Sequence, residues 1–181
     1  MEESLQGRLL IASPSLLDPN FRRTVVLVTV HGEEGAMGIV LNRPAPAAVS
    51  EAVPHLEHLV AEGDAVFVGG PVQPEAVTAL AEVEDTEALA LHVFDGIGFL
   101  PAELDDDTGS ATRRARVFAG YAGWGGGQLE AELGESAWIV EPARADDVFS
   151  ERPLELWADV LRRKGGEFRL LATMPEDPSL N

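Results

Sequence analysis

Short apolar runs rich in β-branched residues restrict the fold of this chain more than any other feature. The runs at 25–28 (Val-Val-Leu-Val) and 137–140 (Ala-Trp-Ile-Val) carry no alternating polar residues. Such continuity is typical of strands that are covered on both faces. Similar runs between turn signals predict nine strands. They are Arg8–Ala12, Thr24–His31, Met37–Leu41, Ala65–Val68, Thr78–Glu82, Ala88–Phe94, Ala115–Ala119, Ala137–Val140 and Phe168–Ala172.

Helical patterns are fewer than strand patterns. The segment Pro153–Lys164 has apolar residues at helical spacing, a proline in its first turn and three cations in its last. We also predict helices over Ser50–Val60 and Gln128–Leu133. Because strands and helices do not alternate regularly, the pattern favours an α+β fold over a doubly wound parallel sheet. A chain of 181 residues corresponds to a single domain, which we place at 1–181.

The charge of the chain is strongly negative and uneven. The net charge is −18, and residues 51–110 hold fourteen acidic residues and no lysine or arginine. Such a surface serves solubility or forms a docking face for a basic partner, and both interpretations stay open. It repels phosphate backbones and anionic lipid, so we expect neither direct DNA binding nor membrane association. The acidic start (Met1-Glu2-Glu3-Ser4) is unlike a signal peptide, and we expect a cytoplasmic location.

Motifs that would support catalysis are missing from the sequence. There is no cysteine, no G-x-S-x-G or S-x-x-K serine motif and no H-E-x-x-H zinc motif. The pair His55 and His58 fits a solvated helix face better than a metal site, since zinc needs further ligands. We therefore predict no catalytic residues, no metal and no cofactor.

The Gly-rich stretch, Gly120–Gly127, lies between a predicted strand and the helix that begins at Gln128. Phosphates bind at such positions. The stretch does not match G-x-G-x-x-G, however, and Glu130 and Glu132 would repel an anion. A tight turn around Trp124 is the favoured interpretation, with nucleotide binding as the alternative.

Two arginines stand at defined points beside predicted strands. Arg23 precedes the first long strand, and Arg43 follows the next one with Pro44 fixing the chain in an extended turn. Internal carboxylates would neutralise these cations, or the cations would bind an anion. We predict that Arg43 lies near the Gly-rich stretch and bonds to its carbonyls or to Glu130. The predicted ligand site comprises Arg43, Asn42, Arg23, His31, Gly120, Tyr121, Gly123, Trp124 and Gln128.

Several motifs in a fixed order resemble one family. They are Gly7–Pro14, Asp18–Val26, His31–Pro44, Phe67–Val72, Phe118–Trp124, Gly127–Glu130 and Pro175–Asn181. This pattern resembles the AlgH/YqgE proteins, a bacterial family without an assigned activity, over essentially the whole chain. The resemblance implies a highly bent, branching sheet that forms a pseudo-barrel with helices packed outside, and it supplies no catalytic residues. Gly126 stands where many relatives have proline, and Gln73–Val83 lacks the aromatic residue and histidine usual there.

Three functions remain open at this point. The leading hypothesis is a non-enzymatic binding or regulatory interaction protein with a protein or small-molecule partner. The alternative is an enzyme that acts on a small anionic substrate near Arg43 and the Gly-rich stretch. Some members of the family are called transcriptional regulators, but a DNA-binding role is less favoured. The only basic cluster on a helix, 162–164 (Arg-Arg-Lys), lies at its C-terminus and complements the helix dipole there.

Overall fold

Ten strands form the framework of the protein in a computed structural model that describes residues 3–105, 109 and 111–176. The strands are β1 (Arg8–Ala12), β2 (Val25–Gly32), β3 (Gly35–Val40), β4 (Pro44–Ala48), β5 (Ala65–Val68), β6 (Val72–Val83), β7 (Leu91–Phe94), β8 (Ile97–Phe99), β9 (Thr112–Gly125) and β10 (Trp138–Pro142). Their order in the sheet is β10-β1-β2-β3-β9-β6-β8-β7, and β5 joins β4 to β9. The two ends of this order, β10 and β7, do not pair within the described residues, so the sheet is open.

The long strand β9 is the point at which the sheet branches. Its first part pairs with β6, and its last part, from Ala122 to Gly125, pairs with β3. On the opposite edge of the part that pairs with β6, Phe118 pairs in parallel with Phe67 of β5. Gly120, at the junction, has a φ of 77°, which a residue with a side chain rarely adopts. The branching that the family resemblance implies is therefore present.

The central strands are buried on both faces, which explains their continuous apolar sequence. In β1 and β2, Leu9 and Leu27 point into one hydrophobic cluster, whereas Leu10 and Val26 point into another on the opposite face. This is the alternation of a pleated strand with protein on both sides. A third cluster fills the space between β6, β9 and the segment around Val53.

Within the described residues, five short α-helices with defined bounds pack around this sheet. They are α1 (Val49–Ala52), α2 (Gln128–Gly134), α3 (Ala145–Val148), α4 (Leu156–Lys164) and α5 (Phe168–Leu171). A 3₁₀ turn at Pro153–Glu155 leads into α4, so the helix predicted over Pro153–Lys164 is confirmed. None of the helices in the described part of the chain is long and apolar enough to cross a membrane.

Two predicted elements are wrong. The predicted strand Phe168–Ala172 is the helix α5, because Phe168 and Leu171 pack on the core at helical spacing while Leu170 is exposed. The single helix predicted over Ser50–Val60 is instead α1 followed by a 3₁₀ helix at Pro54–Leu59. The break falls at Val53, whose backbone (φ −138°, ψ 65°) is not helical, and a following proline disfavours the helical conformation.

The Gly-rich stretch is mostly strand rather than loop, which corrects a further prediction. β9 continues to Gly125, so only two glycines remain for the turn into α2. Gly120 of this stretch and Gly70 permit close contact between the two backbones. A Cβ atom on Gly70 would lie 2.1 Å from the carbonyl carbon of Tyr121, and one on Gly120 would lie 2.4 Å from the carbonyl oxygen of Gly70. The last part of the terminal motif, residues 177–181, lies outside the described residues.

Candidate functional site

The loop between β1 and β2 is fixed by its own hydrogen bonds. The carbonyl of Asp18 accepts the N–H groups of Phe21, at 2.9 Å, and Arg22, at 2.8 Å. The side chain of Asp18 accepts the N–H of Asn20 at 2.8 Å. Phe21 packs edge-on against Trp138, with ring centroids 5.8 Å apart. The loop therefore holds the backbone at Arg22 and Arg23 in a defined place.

Asn42 ties the end of this loop to the start of β2. Its Oδ1 atom accepts the N–H of Val25 at 3.0 Å, and its Nδ2 atom donates to the carbonyl of Arg23 at 2.9 Å. Asn42 is buried. Both halves of its amide are thus used internally, and its role is to fix the backbone beside the two arginines.

Arg43 reaches back to the same loop. Its Nη1 atom donates to the carbonyl of Asn20 at 2.7 Å, and its Nη2 atom donates to the carbonyl of Arg22 at 2.9 Å. Burial lowers the pKa of Arg43, and the charge of Asp18 partly opposes that shift. The prediction that Arg43 bonds to the Gly-rich stretch or to Glu130 is therefore wrong, because both Nη atoms of Arg43 donate to carbonyls of the β1–β2 loop instead.

Arg23 has an unusual backbone and an aromatic neighbour. Its φ is 55°, a left-handed value that is uncommon outside glycine. Its guanidinium lies 4.3 Å from the ring centroid of Trp157 and donates to the carbonyl of Met174. Burial lowers the pKa of Arg23, and the charge of Glu176 partly offsets this. The side chain is held against the end of the described chain.

These arginines surround a pocket of about 310 Å³, which we call the arginine pocket. Its lining consists of Leu17, Pro19, Arg22, Arg23, Arg43 and Glu176. None of the three arginines forms an ion pair within 4.0 Å with any carboxylate of residues 3–105, 109 and 111–176. Elsewhere on the protein, cations do pair, as Arg163 does with Asp147 at 2.7 Å. Among the described residues, the pocket therefore holds three arginines and one glutamate without a direct ion pair.

His31 lies at the opposite end of β2 from Arg23. Eight residues separate them, which is roughly 25 Å at the rise of a strand. The N–H of Leu5 donates to Nδ1 of His31 at 2.9 Å, so the hydrogen is on Nε2, which donates to Glu130 at 2.6 Å. Both nitrogens of His31 are thus engaged in internal bonds.

The remaining predicted site residues also have internal contacts. Trp124 is buried, and its Nε1 atom donates to Glu132 at 3.4 Å. The side-chain oxygen of Gln128 accepts the N–H of Gly125 at 3.0 Å, and Tyr121 packs against the first hydrophobic cluster. Gly123 lies within β9, opposite Met37. None of these residues lines the arginine pocket, so of the predicted site only Arg23 and Arg43 line it, with Asn42 supporting them.

Sequence reasoning missed Arg22 and Glu176 as pocket residues. Arg22 and Arg23 are adjacent in the motif Asp18–Val26, and nothing in the sequence indicates which of the two side chains faces a pocket. Glu176 is separated from Arg23 by more than 150 residues, and only the tertiary fold brings them together. No cluster of three potential metal ligands occurs among the described residues.

The fold and the pocket together define an open, branched α+β sheet domain with an arginine-lined pocket. The chain belongs to the AlgH-like family, whose model matches residues 9–169. It is 45% identical to a UPF0301 protein of Streptomyces coelicolor and 44% identical to one of Streptomyces avermitilis. Each of these two matches covers 98% of this chain and 96% of the relative.

Two solved structures have the same fold. A crystal structure of a protein from Corynebacterium diphtheriae matches with a TM-score of 0.87 and 27% identity, over 96% of this chain and 94% of that chain. The solution structure of the AlgH protein from Pseudomonas aeruginosa matches with a TM-score of 0.72 and 29% identity, over 97% of this chain and 98% of that chain. These likenesses extend the family relationship over nearly the whole chain.

Proposed function

We propose that this protein is a non-enzymatic, cytoplasmic binding protein that recognises an anionic group in the arginine pocket. One observation carries the proposal. Three arginines line one pocket without forming an ion pair within the described residues, in a chain with 31 acidic and 13 basic residues. Arg43 and Arg23 donate to backbone carbonyls, which do not neutralise their charge, and these guanidinium groups keep further donors for an external anion.

The charge of the whole chain restricts the size of that anion. A net charge of −18 repels an extended polyanion, whereas a small anion or a single acidic side chain can enter a local positive site. Arginine suits this role because its planar guanidinium binds carboxylate and phosphate through two parallel hydrogen bonds. The fixed backbone of the loop, held by Asn42 and Arg43, preorganises the pocket.

DNA is a poor candidate for the anionic partner. The basic cluster of α4 is already paired internally: Arg162 with Asp159, Arg163 with Asp147, and Lys164 with Glu141. Binding of phosphates there would first have to displace three carboxylates. We expect no salt-sensitive gel shift with DNA at physiological salt.

The enzyme alternative loses its main support in the geometry. It required Arg43, His31 and the Gly-rich stretch to share one concavity. His31 instead donates to Glu130 at the other end of β2, and neither it nor the Gly-rich stretch lines the arginine pocket. Among the described residues that line the pocket, no nucleophile is paired with a base.

A thermal-shift and calorimetry series tests the proposal with inorganic phosphate, citrate and a panel of anionic metabolites. We expect at least one anion to raise the melting temperature of the parent protein. Arg22→Ala should abolish this shift without lowering stability, because no hydrogen bond from the Arg22 side chain holds the described structure together. Glu176→Gln should strengthen binding several-fold, since it removes a negative charge from the pocket lining.

The matched control is Arg169→Ala. Arg169 is an exposed arginine without an ion pair in the described structure, and it does not line the pocket. Its removal changes the net charge as Arg22→Ala does and should leave anion binding intact. Failure of every anion to stabilise the parent, or equal loss in both variants, would remove the proposal.

A further inference from the structure

The outer edge of β10 is a second surface that the arginine pocket does not explain. β10 is the last strand in the sheet order, with β1 on one side and no strand on the other among the described residues. An unpaired edge presents backbone N–H and C=O groups that can pair with another extended chain. The question is which of these groups are open.

Register identifies the residues whose backbone faces outward. The backbone N–H of Ser13 donates to the carbonyl of Ala137, and the backbone N–H of Ala143 donates to the carbonyl of Gly7. The backbone N–H and C=O groups of the odd-numbered residues in this segment therefore point toward β1. Those of the even-numbered residues, Trp138 and Val140 among them, point away from β1. The contacts of α4 agree, because Lys164 donates to the carbonyl of Val140 at 2.9 Å.

The two cations of α4 cover only the end of this edge. Arg163 donates to the carbonyl of Pro142 at 3.2 Å, and Lys164 covers that of Val140. Among residues 3–105, 109 and 111–176, no hydrogen-bond donor or acceptor covers the N–H and C=O of Trp138 or the N–H of Val140. Three consecutive outward groups remain for pairing, which is enough for a short added strand.

A groove of about 840 Å³, which we call the β10 groove, runs along the open groups. Its volume lies within the range of about 300–1,000 Å³ that is usual for ligand sites. Leu133 and Trp138 belong to one hydrophobic cluster, and Ile139, Phe168 and Leu171 pack against the other. Both faces of an added strand would therefore meet apolar side chains, which favours a short continuous apolar segment.

The charges at the groove favour a basic partner. Glu167 lines the groove, and Glu135 lies on the chain between two of its lining residues, Leu133 and Ser136. Both glutamates are exposed and have no ion pair within 4.0 Å in the part of the chain that the structure describes. The one cation of the lining, Lys164, is already paired with Glu141 at 3.3 Å. Free negative charge beside an apolar floor is complementary to an apolar segment flanked by lysine or arginine.

We propose that the β10 groove binds an extended segment of a partner protein, with a short apolar centre and basic flanks, as an added strand beside Trp138 and Val140. Main-chain hydrogen bonds hold the segment, the two apolar walls select its centre, and Glu135 and Glu167 select its flanks. This site is independent of the arginine pocket, so either proposal can fail without the other.

The probe for the test is the peptide acetyl-Lys-Lys-Val-Ile-Val-Lys-Lys-amide, titrated into ¹⁵N-labelled protein. We expect chemical-shift changes at the amides of Trp138 and Val140, with slower exchange of both amide hydrogens. Single N-methylation along the peptide should show a period of two. Methylation at alternate residues should weaken binding at least about tenfold, because only every second N–H of an added strand donates to its neighbour. Uniform sensitivity to methylation, or shifts confined to another surface, overturns the proposal.

Protein variants provide a second readout. Leu171→Asp places a charge in the groove and should abolish binding, whereas Leu170→Asp, the exposed neighbour outside the groove, should leave binding unchanged. If Leu171→Asp does not fold, the double variant Glu135→Lys and Glu167→Lys, at two exposed positions, serves as the test instead. We expect it to weaken peptide binding about tenfold. Equal binding of a peptide whose lysines are replaced by glutamate overturns the basic partner.

A second copy of this chain is the competing occupant. Analytical ultracentrifugation of the parent and of Leu171→Asp distinguishes it from the peptide. A monomeric parent supports the proposal. The proposal is overturned if the parent is a dimer, if Leu171→Asp dissociates this dimer, and if the peptide does not compete with dimer formation.

Discussion

The side-chain oxygen of Asn42 accepts the N–H of Val25 at 3.0 Å, in the place where a neighbouring strand would supply a carbonyl. The same amide donates to the carbonyl of Arg23. One buried side chain therefore both starts β2 and fixes the backbone of an arginine in the proposed binding pocket. Stability and ligand recognition meet at this residue, and variants can separate them.

Asn42→Ala should destabilise the fold by about 2–3 kcal/mol, because a buried N–H and a carbonyl lose their partner together. Urea unfolding followed by circular dichroism measures the change. Asn20→Ala is the matched control, since only the backbone of Asn20 takes part in the described hydrogen bonds, and it should change stability by less than about 0.5 kcal/mol. Equal effects of the two changes would contradict the role assigned to Asn42.

Arg43→Ala should lower stability by about 1–2 kcal/mol, because two loop carbonyls lose a charged donor. The same change should weaken anion binding, whereas Arg22→Ala should affect binding alone. Thermal unfolding of the two variants, with and without phosphate, measures both effects. Unchanged stability of Arg43→Ala would mean that its bonds to Asn20 and Arg22 contribute nothing to the fold.

Glu130 should make stability depend on pH in the acidic range. The hydrogen bond from His31 is the largest cause that lowers the pKa of Glu130 in the folded protein. A carboxyl with a lowered folded pKa stabilises the protein above its unfolded pKa, which is about 4.3 for glutamate, and this stabilisation is lost as the pH falls through the folded pKa.

Glu130→Gln removes this titrating group. Melting temperatures measured from pH 6 down to pH 3 should therefore fall less steeply for the variant than for the parent. Glu135→Gln is the control, because Glu135 is exposed and lacks an ion pair in the described structure. Parallel pH profiles for the parent and Glu130→Gln would refute the contribution of the His31 bond.

Gly70→Ala should be severely destabilising, by about 3 kcal/mol or more. Its Cβ atom would lie 2.1 Å from the backbone of Tyr121, and its φ of 153° is rarely adopted by residues with a side chain. Gly134→Ala, at the end of α2 with open space around it, should instead change stability by no more than about 1 kcal/mol. Denaturant midpoints of the two variants test the contrast, and a tolerated Gly70→Ala would disprove the close approach.

Glu132 should stabilise the aromatic cluster through its acceptor oxygen. Its Oε1 atom accepts from the indole nitrogens of Trp124, at 3.4 Å, and Trp138, at 3.2 Å. Glu132→Ala should cost about 2–4 kcal/mol, whereas Glu132→Gln keeps an acceptor and should retain most of the stability. Circular dichroism during urea unfolding measures both, and equal losses would show that the charge matters rather than the acceptor.

Local sequence patterns were sufficient to predict a strand or helix where that element is set by its own residues. Continuous apolar runs predicted β1, β2 and β10, since burial on both faces leaves no polar positions. The proline, the apolar stripe and the terminal cations predicted α4. At Phe168–Ala172 the apolar run was short enough to fit a strand or a helix, and only its packing on the core decided for the helix.

The α+β class, the family and the acidic charge could be predicted from the sequence, because composition, periodicity and motif order are properties of the chain alone. The two sites could not, since each combines segments that lie far apart along the chain. Arg43 donates to the carbonyls of Asn20 and Arg22 rather than to the Gly-rich stretch, and His31 donates to Glu130 at the other end of β2. Glu176 lies beside Arg23, and Leu171 lies beside β10, because the fold brings together segments that are distant in the sequence. Such partners are set by the relative placement of strands and helices, which no local pattern encodes.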